Sequence, residues 1–195
     1  AHDMYSGQVI RSIYETLYAY DYLARPAKLV PSTAASMPVV SNHGKTYTIT
    51  LKKGIYFSDD PAFGGKKREL TAADYIYSIK RLMDPGVRST SLAKQARKTG
   101  RFDYENQIRG LELVDRYTFR IHLNKPDYNL THVLAHYPTS AVAHEIVRKY
   151  TDGNGQIMAH PVGTGPYVLT EWQRASKMIL DANPGYRGFI WDFRA

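Results

Sequence analysis

Few residues in this chain have the types and spacing for chemistry. His132 and His136 stand one helical turn apart in His132-Val133-Leu134-Ala135-His136, with His144-Glu145 further along, the raw material of a zinc site. A metalloprotease helix needs a glutamate directly after its first histidine, and Val133 stands there. These imidazoles therefore read as surface or capping histidines, and no bound metal is expected. Gly163-Thr164-Gly165 could bring backbone close to a phosphate, yet the third glycine and following helix of a dinucleotide fingerprint are missing, as is the lysine of a phosphate loop. No nucleotide or other cofactor is expected. There is no Gly-x-Ser-x-Gly nucleophile motif and no close carboxylate pair in an apolar context, so the chain reads as a binder, not an enzyme.

Charge supplies a contrasting reading. The 195 residues carry 26 Lys and Arg against 18 Asp and Glu, a net charge of +8, which favours acidic partners. Lys94, Arg97, Lys98 and Arg101 form the densest cluster, and Lys66-Lys67-Arg68 a second. The alternative function is thus a basic interaction module that binds nucleic acid or an anionic membrane surface through both clusters. Dispersed charge elsewhere and the absence of helix-turn-helix, RNA-binding or zinc-finger patterns favour solvated faces, with no nucleic-acid partner. With no cysteine, disulfides and thiolate metal sites are excluded. No run is long enough to span a bilayer, and no export signal precedes Ala1, so an exported protein would be represented in its mature form or a piece of it.

The elements that must position these residues are organised around Gly44 to Leu82. Tyr47-Thr48-Ile49-Thr50-Leu51 alternates, placing Tyr47, Ile49 and Leu51 on one strand face. Gly54 permits a kink, Ile55 to Phe57 continue as the second member of a strand pair, and Ser58-Asp59-Asp60-Pro61 with Gly64-Gly65 supply turns. Thr71-Ala72-Ala73-Asp74 has capping-box spacing, with the Thr71 hydroxyl as acceptor and Asp74 reaching back. Tyr75, Ile76, Ile79 and Leu82 then recur at helical spacing until Asp84-Pro85-Gly86 ends the helix.

Before this unit, Ala1 to Ser6 reads as a polar lead-in and Val9, Ile10, Ile13, Tyr14 and Leu17 as a helical stripe. Tyr18 to Tyr22 is a short strand or loop, 29–40 is extended because of its prolines, and Asn42-His43-Gly44 is a hairpin turn. After it, Arg88 to Asn106 reads as a helix with a mobile connection. Leu111 to Val114 and Tyr117 to Leu123 form a hairpin with Tyr117, Phe119, Ile121 and Leu123 on one face. Asn129 to Ala135 and Ala141 to Tyr150 read as helices, and Asp152 to Gly155 as a turn. In Gly163-Thr164-Gly165-Pro166-Tyr167 the glycines offer unusual dihedrals and close backbone approach, and the two readings are a tight structural turn and direct ligand contact. The apolar tail Phe189-Ile190-Trp191-Asp192-Phe193 reads as an exposed edge, a folded-back strand or a dimer contact.

Two blocks carry a resemblance. Gly44 to Phe57 with Leu70 to Arg81, and His160 to Trp172 with Ile179 to Gly188, resemble the extracytoplasmic solute-binding proteins of family 5, the oligopeptide- and dipeptide-binding components of ABC importers. The resemblance runs from about Tyr5 to Gly188. It implies a mixed α/β (α+β) fold, part of lobe I of a class-II periplasmic-binding-protein-like architecture, with a mixed sheet, flanking helices and hairpins. Residues 1–195 would be a single partial domain, the N-terminal portion of that larger lobe, with the second lobe absent. It further implies capture of peptides or related small solutes outside the cytoplasmic membrane, in the periplasm, by a protein peripheral to the membrane that delivers them to ABC permease subunits. Gly163, Thr164 and Gly165 at the inter-lobe face, with Ser91 and Leu92 in the loop after Pro85, are the ligand-contact candidates. Which solute is bound stays open: oligopeptide, dipeptide, nickel complex, sugar or opine.

Overall fold

The computed structural model describes residues 4–84, 103–105, 107–153 and 155–188. In chain order these form α1 (Met4–Ile13), β1 (Tyr18–Tyr20), β2 (Leu29–Pro31), β3 (Val39–Ser41), β4 (Thr46–Thr50), α2 (Ala72–Met83), β5 (Leu111–Leu113) and β6 (Thr118–His122). They continue as α3 (Leu130–Val133), α4 (His144–Tyr150), β7 (Tyr167–Gln173) and β8 (Lys177–Ala182), and 3-10 turns lie at Pro61–Phe63 and Tyr137–Thr139.

The centre is a four-stranded sheet in the order β3-β4-β6-β5, with two-stranded ribbons β1-β2 and β7-β8 beside it. Mixed α and β architecture with hairpins is as the sequence implies, but each ladder among the described residues is antiparallel, so the expected mixed sheet is an antiparallel one. Alternation explains the sheet. Tyr47, Ile49 and Leu51 all fall to 2% exposure or less, and Phe119 and Ile121 join them from β6, paired Ile49 to Phe119 and Tyr47 to Ile121. Phe119 stacks on Tyr75 of α2, with ring centroids 5.9 Å apart at 11°. Burying a side chain of that size is worth about 1.5–3 kcal/mol. The hairpin before β4 needs left-handed backbone, which Asn42, His43 and Gly44 all adopt (φ 50, 52 and 79°).

Local order differs from expectation in three places. The segment Ile55 to Phe57 does not pair with β4. It turns away at Gly54 (φ 74°) and bonds to 68–70, with the Phe57 N–H donating to the Arg68 carbonyl and the Leu70 N–H to the Ile55 carbonyl. α1 starts at Met4, inside the stretch read as a polar lead-in. Helices α3 and α4 are shorter than the segments read as helical.

The capping box at α2 forms, and its bonds converge on the carboxylate. Asp74 Oδ2 accepts from the Thr71 N–H and from the Thr71 hydroxyl, both at 2.8 Å. Arg68 grips the same carboxylate with Nη2 at 2.6 Å and Nη1 at 3.0 Å, and donates from Nε to Glu145 of α4 at 2.8 Å. An Asp side chain only 2% exposed is tolerated because a guanidinium and a helix start neutralise it. This uses up the third member of the Lys66-Lys67-Arg68 run, so that run is not the free surface patch its composition suggested.

Candidate functional site

The Gly163-Thr164-Gly165 turn is where the two ends of the described chain meet. A Cβ on Gly165 would lie 2.7 Å from the Ile13 carbonyl oxygen, and one on Gly163 would collide with that oxygen more severely. Neither glycine has positive φ, so closeness to α1, not an unusual dihedral, demands them. The Gly165 N–H donates to the Ile13 carbonyl at 2.8 Å, capping the end of α1, and the Gly163 carbonyl accepts from the Ser58 N–H at 2.9 Å. Thr164 is 4% exposed between them.

The Asn183-Pro184-Gly185-Tyr186 stretch closes on the same turn. Its Asn183 N–H donates to the Pro166 carbonyl at 2.8 Å, Nδ2 donates to the Gly165 carbonyl at 2.9 Å, and Oδ1 accepts from the Gly185 N–H at 3.0 Å. Two motifs apart in the sequence are thus one unit: β7 and β8 leave and return at a single root seated on α1. Arg187, just beyond, forms a two-pronged pair with Glu15 at 2.7 and 2.6 Å, closing the root against the segment after α1.

Beside this root lies a hollow of about 470 Å³, lined by Phe57, Ser58, Asp60, His160 and Val162 among others. His160 Nε2 lies 2.6 Å from Asp60 Oδ2, and Tyr150 donates its hydroxyl to Asp60 Oδ1 at 3.1 Å. Burial alone would raise the Asp60 carboxyl, but the bonds from His160, Ala62 and Tyr150 outweigh it and hold the group below the ordinary aspartate value. A larger hollow of about 1610 Å³ between α2 and β5 is lined in part by Tyr77, Tyr104, Glu112 and His122. Glu112 there is already engaged by Arg120 at 2.9 Å and His122 at 2.8 Å, so this larger space offers a less distinctive site than the glycine root.

The other sequence candidates are scattered. His132 Nδ1 meets the Tyr20 hydroxyl at 2.9 Å, His136 packs on Tyr137, and His144 lies 3.3 Å from Glu145. Among the described residues no three His, Asp or Glu side chains converge as a metal site. Ser91, Leu92, the basic cluster at 94–101 and the apolar tail at 189–193 lie outside the described residues. No helix among the described residues is long and apolar enough to cross a membrane. The Asp60–His160–Tyr150 cluster is not visible in the sequence, since its members are up to 100 positions apart and only the fold brings them together.

Residues 28–193 match the family described as bacterial extracellular solute-binding proteins, family 5 Middle. The glutathione-binding protein GsiB of Escherichia coli O1:K1 is 31% identical over 186 residues, covering 95% of this chain and 32% of that protein. Among solved structures, the ABC transporter-associated periplasmic binding protein DppA from Helicobacter pylori, in complex with the peptide STSA, is 29% identical with a TM-score of 0.74. It covers 96% of this chain and 36% of that one. The substrate-binding domain of an oligopeptide ABC transporter from Bacillus anthracis shares the fold at a TM-score of 0.71 and 23% identity, over 96% and 35% of the two chains. The chain spans about a third of the length of the relatives it matches.

Proposed function

Because the chain belongs to the family 5 bacterial extracellular solute-binding proteins, we propose that it is part of the solute receptor of an ABC importer, capturing peptides or related small solutes outside the cytoplasmic membrane and handing them to permease subunits. The observation that carries this reading is the likeness to peptide-bound DppA, at a TM-score of 0.74 over 96% of the chain. On this reading the 195 residues form the N-terminal portion of the larger lobe, the protein is not an enzyme, and it sits extracytoplasmically at the membrane periphery. Such a receptor holds an extended ligand by backbone hydrogen bonds, tolerates varied side chains in hydrated space, and closes on it by a hinge. Gly163, Thr164 and Gly165 contribute through the placement of the β7-β8 root. Because they are buried beneath α1, any ligand contact they make is through exposed neighbours or their backbone.

The test is calorimetric titration of the whole gene product with the tetrapeptide STSA and with glutathione. Micromolar binding of either is expected, whereas the 195-residue chain alone binds weakly or not at all because it supplies only one cleft wall. Micromolar binding by the chain alone would overturn the one-wall idea. Failure of both probes, together with steeply salt-dependent binding to duplex DNA, would favour the basic interaction module instead.

A further inference from the structure

Asp60 is bonded more heavily than a surface turn requires. A residue at the start of a 3-10 turn needs to accept one backbone N–H, which Asp60 Oδ1 does from Ala62 at 2.7 Å. Its remaining lone pairs receive donors from two other parts of the chain. The Tyr150 hydroxyl comes from the last residue of α4, and His160 Nε2, at 2.6 Å, comes from just before the glycine turn. The side chain is left only 4% exposed. The His160 ring also stacks on Tyr150, centroids 3.7 Å apart at 27°. Three donors fix the carboxylate in position and rotation, and the stack then fixes the imidazole plane.

The segment held in this way is the one that delivers chain into a space with no slack. Gly163 and Gly165 fit against the Ile13 carbonyl with less room than a single methyl group. Downstream, Asn183 secures the turn. Upstream, the side-chain holds are His160 and Tyr14, whose hydroxyl oxygen accepts from the Val162 N–H, seconded by the backbone bond from Ser58 to Gly163. The charged groups around the imidazole are Asp60 itself, Asp59 and Lys67 along the same hollow, and Lys149 over the Tyr150 ring at 5.1 Å.

We propose that Asp60 and His160 are positioning residues: a latch that sets where the chain enters the Gly163–Gly165 turn and hence how the β7-β8 root seats on α1. Its consequence for ligand capture rests on the receptor reading above, while the latch itself does not. Amide hydrogen exchange on the whole gene product tests it, comparing wild type, His160→Ala, Asp60→Ala, the double variant and His160→Gln. Each alanine variant is expected to speed exchange at Val162 to Gly165 about tenfold, the factor corresponding to the lower range for a hydrogen bond to a charged group. The two effects should be less than additive, the double variant exchanging about as fast as Asp60→Ala alone, because the bond the two residues share is already lost there. His160→Gln, whose amide still donates to Asp60, should stay within about threefold of wild type. Amides of β4 and α2 serve as the reference for global stability and should not change.

The proposal is overturned if 162–165 exchange as in wild type in the alanine variants, if β4 and α2 accelerate equally, if the two alanine effects add, or if Gln is as fast as Ala. Titration of the whole gene product with STSA is read separately. Its failure would count against the receptor reading and leave the exchange result standing.

Discussion

The central sheet and the β7-β8 ribbon are both antiparallel and rich in apolar residues, and they end in opposite conditions. In β4 and β6, Tyr47, Ile49, Phe119 and Ile121 are buried under α2 and its neighbours. In β7 and β8 not one residue is fully buried, and Met178 and Ile179 remain 45% and 38% exposed. Alternation decides which residues share a face, but the partner laid over that face decides whether burial stabilises it. A lone two-stranded ribbon is marginal in water. This one is held at its root by the glycine seat on α1 and by Asn183, not along its length.

That contrast can be broken from either side. Phe119→Ala in the sheet should cost about 3–5 kcal/mol, measured by urea unfolding, since it empties a fully buried site stacked on Tyr75. Arg68→Met leaves the 2% exposed Asp74 carboxylate without its ion partner and should cost about 3 kcal/mol in the same assay. Gly163→Ala forces a methyl into the Ile13 carbonyl and should cost about 1–3 kcal/mol. Its hydrogen-exchange signature should stay in β7-β8 while the sheet remains protected; loss of sheet protection would erase the distinction between the two regions. Acid sharpens the comparison further. Burial opposes ionisation of Glu145, but its bond to Arg68 outweighs that, and its carboxyl is held below the ordinary value of 4.5. A depressed carboxyl stabilises the fold above its unfolded value and loses that contribution as pH falls through the folded one. Stability should therefore decline below about pH 4.5, less steeply in Arg68→Met, as followed by circular dichroism. Ile179→Lys on the exposed ribbon should change stability by less than about 0.5 kcal/mol; a larger loss would mean the ribbon face is covered.

Where the sequence carried a local rule, it could be read directly. The β4 alternation, the Thr71–Asp74 cap and the Asn42–Gly44 turn each depend on residues within one element, and each is found. What stayed hidden depends on distance in the chain. Nothing in Ile55 to Phe57 says that its partner is 68–70 instead of β4, because an extended segment presents the same hydrogen-bonding edge to either. Nor does the Gly163-Thr164-Gly165 motif state that its glycines answer to Ile13, or that Asn183 closes over them. Periodicity puts Tyr75, Ile76, Ile79 and Leu82 on one stripe of α2; Tyr75 is fully buried as that implies, but Ser78 is buried too while Ile76 and Ile79 only line the margin of the core. The angle at which the helix meets the sheet decided that, and it is not written in any one segment.

The pairing of β4 with β6 has a consequence for how the chain is made. Thr46 and His122 face each other across 76 positions. During synthesis β4 can form its hairpin with β3 at once, but its other edge must wait for β6 to leave the ribosome. At about 5–20 residues per second that wait lasts several seconds. For that interval the nascent chain offers a sticky, half-finished sheet, and its best protection in the cell is whichever chaperone reaches it first.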